Sequence, residues 1–71
     1  PIMNTIPNEI MQEFLTLECA LSPENLTGDG EFSREYVRKR EAELMRKWAA
    51  LEARVGRKVS TTEVYNWAAD L

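Results

Sequence analysis

Seventy-one residues, 44% of them apolar and 30% charged, suffice for one small core and one domain, and are too few for two. With no histidine and a single cysteine, the chain lacks the commonest general base, the commonest transition-metal ligand and any intrachain disulfide. The net charge of −3 is segregated: residues 1–30 carry −5, residues 31–58 hold all nine Lys/Arg and carry +4, and residues 59–71 carry −2.

Pro1 and Ile2, ahead of Met3, read as an addition to the natural start, and residues 1–6 are expected to form a flexible N-terminus to a single domain spanning 1–71. Asn4 or Thr5 is placed to cap a first helix with Pro7 in its first turn, where a missing N–H costs nothing. Ile10, Phe14, Leu17 and Leu21 then recur at helical spacing as one apolar stripe, widened by Met11 and Leu15. Ser22-Pro23 ends this helix, because a proline disfavours α geometry in the residue before it.

Residues 23–32 read as a glycine-rich connection, with Gly28 and Gly30 free to take positive φ and Phe32 plugging the bottom of a hairpin. The stretch LTGDGEFSRE superficially matches a calcium loop, with Asn25, Thr27 and Asp29 at its leading ligand positions. Its last position requires a bidentate carboxylate and holds Tyr36, so a turn is expected and no metal or cofactor.

Ser33 is a suitable N-cap for a long helix that runs through Val37, Leu44, Trp48, Leu51 and Val55 until Gly56 stops it. Glu35/Lys39 and Glu43/Lys47 are expected as i,i+4 ion pairs. Val37, Leu44 and Leu51 repeat every seven residues, and such a helix outruns the first one. The surplus stripe, with Trp48 and Val55, is therefore expected to form the seam of a homodimer. Ser60-Thr61-Thr62-Glu63 is a capping box flanked by Val59 and Val64 at the staple positions; it opens a short last helix whose apolar face is Val64, Trp67, Ala68 and Leu71, anchored by Trp67. The expected fold is all-α: a helical hairpin of short helix, Gly-rich loop and long helix, followed by a short C-terminal helix.

No catalytic constellation accompanies these elements. The sequence has no P-loop or dinucleotide fingerprint, and Cys19 lies on an apolar helix among acids, so no enzyme is expected. A lone cysteine and the absence of long apolar runs point to a reduced, cytoplasmic protein with no membrane span. The candidates for contact with a partner are Arg38, Lys39, Arg46, Lys47, Arg57, Lys58 and Tyr65, since basic and aromatic side chains left exposed usually mark an interface. The segment ALEARVGRKVSTTEVYNW also resembles a helix-turn-helix. On that second reading Thr61, Thr62, Tyr65 and Asn66 would meet base edges, and Arg57 and Lys58 phosphates.

Residues 22–67, about two thirds of the chain, resemble small accessory proteins encoded by tailed bacteriophages and prophages. The resemblance rests on Glu24-Asn25-Leu26-Thr27, Asp29-Gly30-Glu31, the Arg/Glu-rich helix ending in Leu51-Glu52, and Gly56-Arg57-Lys58-Val59-Ser60. It implies a bacterial cytoplasm during infection or lysogeny, and a protein that binds a host or defence protein and inhibits or redirects it. It carries over no catalytic residue.

Overall fold

The computed structural model describes residues 5–71, which form four α-helices and no strand: α1 (Asn8–Leu21), α2 (Pro23–Thr27), α3 (Arg34–Val55) and α4 (Thr61–Ala69). The all-α expectation is met, with one helix more than the sequence suggested. Pro7 stands one residue outside α1 as its N-cap, not in the first turn, and its carbonyl accepts the first helical bond from the Met11 N–H at 3.0 Å. Thr5 makes no cap, and Asn4 lies outside the described residues, as does most of the segment expected to be flexible. Ile6, within that segment, is instead buried in the core.

Ser22 ends α1 in extended geometry, as the residue before a proline should. The Cys19 carbonyl exposed by that ending accepts from the Ser22 N–H, from Ser22 Oγ at 2.9 Å and from Asn25 Nδ2 at 2.8 Å. The connection then departs from a plain loop. With proline favoured at a first helical position, residues 23–27 close a single turn, α2, and bury Leu26. Gly28, Asp29 and Gly30 all take positive φ and reverse the chain. Gly28 could be no other residue without a shift, because a Cβ there would lie 2.7 Å from the Phe32 ring. Phe32 is 40% exposed and packs edge-on to Tyr36, so it lies over the corner and does not plug a hairpin.

Ser33 and Gly56 delimit α3 as their chemistry requires. Ser33 Oγ accepts the Tyr36 N–H at 3.2 Å, and Gly56 takes the left-handed φ of 89°. The ion pairs Glu35–Lys39 and Glu43–Lys47 form at 3.5 and 3.7 Å, but both are largely exposed and worth little to stability. The core lies where α1 crosses the C-terminal half of α3 and supports α4; Phe14, Val55 and Val64 are its fully buried side chains. Phe14 meets Trp48 edge-on with centroids 4.8 Å apart, and α2 prolongs the cover over α3 beyond the end of α1.

That cover corrects the expected dimer seam. Leu51 and Val55 are buried within the single chain, Leu44 and Trp48 are half-buried against its core, and Val37 is half-buried. The seven-residue recurrence marks the internal core, because α1 and α2 in series match the length of α3 where α1 alone does not.

In α4 the Ser60 cap forms, Oγ accepting the Glu63 N–H at 3.1 Å, and Val59 and Val64 are both buried at the staple positions. The reciprocal half of the box is missing, since the Glu63 carboxylate turns to Arg57. The anchor is Val64; Trp67 is half-buried with its indole N–H on Asn8 Oδ1 at 3.2 Å, and Leu71 is 78% exposed, beyond the helix end. Ser60→Ala is expected to cost about 1 kcal/mol, and Thr61→Ala close to nothing, as read from denaturant midpoints. Equal losses would place the start of α4 elsewhere.

Candidate interaction surface

The basic side chains expected to meet a partner mostly have partners already. Lys39 pairs with Glu35, Lys47 with Glu43, and Lys58 reaches Glu52 at 3.8 Å. Arg57 makes a two-point contact with Glu63, Nη1 to Oε1 at 2.8 Å and Nη2 to Oε2, in the fork geometry that suits guanidinium and carboxylate. Arg54, outside the expected set, reaches across to Glu13, joining the acidic arm to the basic middle. Arg38 and Arg46 are exposed, and among the described residues they make no ion pair. At about 100° per residue, Arg38, Lys39, Arg46 and Lys47 span about half the circumference of α3 and do not converge on one patch.

The Arg57 hydrogen bond holds the Glu63 carboxyl below the usual glutamate range, with burial opposing it, and Glu63 raises Arg57 in turn. A carboxyl held low in the folded state stabilises the fold above its unfolded value, and that contribution is lost as pH falls through the folded value. The destabilisation caused by Glu63→Gln should therefore shrink between about pH 7 and about pH 3, read as the gap between the two denaturant midpoints. A gap that is constant or grows on acidification would show that the pair contributes nothing.

The helix-turn-helix resemblance is not matched by the packing. α3 and α4 are joined through residues 56–60 and both lie against α1, but their backbones do not approach each other as the two helices of that motif do. Thr61, Thr62 and Asn66 face solvent. Tyr65 is exposed, but its hydroxyl donates to Glu18 Oε1 at 2.8 Å, and that bond raises its pKa. A carboxylate thus stands beside the face that would read bases. The calcium-like stretch is also occupied otherwise: Asn25 bonds the Cys19 carbonyl, Thr27 Oγ1 donates to the Pro23 carbonyl at 2.8 Å, and no cluster of three potential ligands occurs among the described residues.

What the charge pattern did not reveal is a half-open apolar flank on α3. Met45 is 59% exposed, far more than a methionine gains from solvent, beside the half-buried Trp48 and Leu21. Two shallow hollows of about 370 and 380 Å³ lie along this flank. The first is bordered on α3 by Arg34, Val37, Arg38 and Glu41, and the second by Met45, Trp48, Ala49 and Glu52. Those positions step by three and four, so the hollows succeed one another along one side of the helix. The opposite wall is built by Thr27 and Phe32 at one end and by Leu21, Lys58 and Thr61 at the other. Of the residues expected to contact a partner, only Arg38 and Lys58 border this groove. Its sequence signal was present in the spacing of Arg38, Glu41, Met45, Trp48 and Glu52, but it lay in the shadow of the stronger core stripe.

Among the described residues no helix is long and apolar enough to cross a membrane. Comparison with protein-family models, with curated proteins and with solved structures finds no match for this chain.

Proposed function

We propose that the protein is a small non-enzymatic interaction module, phage-encoded and acting in a bacterial cytoplasm, that binds a host or defence protein and inhibits or redirects it. The observation that carries this is the α3 flank. A chain this small that leaves Met45 and Phe32 in water beside half-buried Trp48 and Val37 holds back apolar surface that it could have covered. Methionine and aromatic side chains are also the residues that adapt to, and anchor, protein contacts. The origin and the host setting rest on the resemblance of residues 22–67 to phage accessory proteins. DNA binding is the weaker reading, because Glu18 and Glu63 stand beside the α4 residues that would face the duplex.

Affinity capture from a bacterial lysate, with and without nuclease, tests the proposal. A protein retained in stoichiometric amount after nuclease is the expected result. Retention of nucleic acid alone, lost on nuclease treatment, would overturn it.

A further inference from the structure

Building on that reading, we infer that the groove along the α3 flank receives an amphipathic helix of the partner, apolar where it meets Met45 and Trp48 and bearing carboxylates at the end that meets Arg34 and Arg38. The α3 side of the groove presents Val37, Glu41, Met45 and Trp48 at the three- and four-residue spacing into which the ridges of a second helix fit. No strand edge exists among the described residues, so strand addition is not available. From residue 34 to residue 52 the two hollows together span about 27 Å of α3, the length of roughly eighteen helical residues.

The charges specify the occupant further. Arg34 and Arg38 lie at one end, and among the described residues neither has a carboxylate partner. At the other end Lys58 and Glu52 both border the groove and pair at 3.8 Å, so that end carries no net charge. Glu41 stands between the two ends. Acids are thus attracted at the Arg34/Arg38 end, while Glu41 and Glu52 along the rest of the groove disfavour a uniformly charged phosphate backbone. The acidic helix of a second copy of the chain is not available as the occupant either. That helix, α1, has its apolar face inside the core.

The test places a photo-crosslinking phenylalanine analogue at Met45 in one preparation of the full chain and at Ala50, exposed on the opposite flank, in another. Helicity confirms that both fold. Each is irradiated in nuclease-treated bacterial lysate and the crosslinked segment is sequenced. The expected adduct forms from Met45, with a segment apolar at i, i+3, i+4 and i+7 and acidic at one end. Its yield should fall about tenfold with Arg38→Glu and stay unchanged with Gln12→Glu on the far flank. Adducts from Ala50 alone, or from Met45 to a basic segment or to a second copy, would overturn the groove assignment while a protein partner is still captured. Capture of no protein at all would overturn the interaction reading together with it.

Discussion

Phe14→Ala is expected to remove a third or more of the chain's stability. Phe14 is fully buried on α1, meets the Trp48 ring edge-on, and lies in the one core that ties α1 to both α3 and α4. Truncating a buried phenylalanine costs about 3–5 kcal/mol, through lost burial plus the cavity left behind. A 71-residue domain has about 4–10 kcal/mol of stability in total, so this one change removes a third of it or more. No second core remains to hold the helices, and helices of 14 and 9 residues are marginal on their own in water. Circular dichroism with urea titration checks the outcome. Met45→Ala, at an exposed site, should shift the midpoint little by comparison. If the two variants unfold at similar urea concentrations, the core is not where Phe14 places it.

Four helix boundaries were legible because their signals are local. Ser33, Gly56, Ser60 and the Ser22-Pro23 step each act through the backbone geometry of one or two residues, and each is found in the expected role. α2 was not legible, since five residues are too few to show a period and a proline beside two glycines reads as a loop. Overlooking it made α3 seem half uncovered, which is why an internal stripe looked like a dimer seam. A recurrence of apolar residues says that a face is buried, but not by which chain. The site was less legible than the fold. The sequence showed every charge, but pairing depends on the path of the chain: Arg57 finds Glu63 only because the turn at Gly56 brings the two together. Met45 was overlooked because it lies off the core stripe, and its exposure depends on where α1 ends.

The turn between α3 and α4 is expected to depend on Glu52 more than on any of its exposed charges. Val59 is buried there, and both of its backbone groups need partners away from water. Its N–H donates to Glu52 Oε2 at 2.9 Å, and its carbonyl accepts the Trp48 indole N–H at 3.2 Å. Trp48 and Glu52 stand one turn apart on α3, so the long helix grips the returning chain by its backbone at a single residue. This fixes where Ser60 begins α4. Glu52→Ala strands the Val59 N–H and should cost about 2–3 kcal/mol, the range for a hydrogen bond to a charged group. Glu52→Gln keeps an oxygen acceptor at the same reach and should lose about half as much. Lys58→Ala removes only an exposed cation at 3.8 Å and should be near neutral. Trp48→Phe keeps an aromatic ring for the Phe14 contact but loses the indole donor, for about 1 kcal/mol. Urea midpoints rank the four variants, and amide exchange at Val59 reports the bond directly, with protection lost first in Glu52→Ala. Equal midpoints for Glu52→Ala and Lys58→Ala would refute the grip. Lys58 and Thr61 wall the end of the α3 groove beside Met45, and they stand on the segment that this grip holds in place.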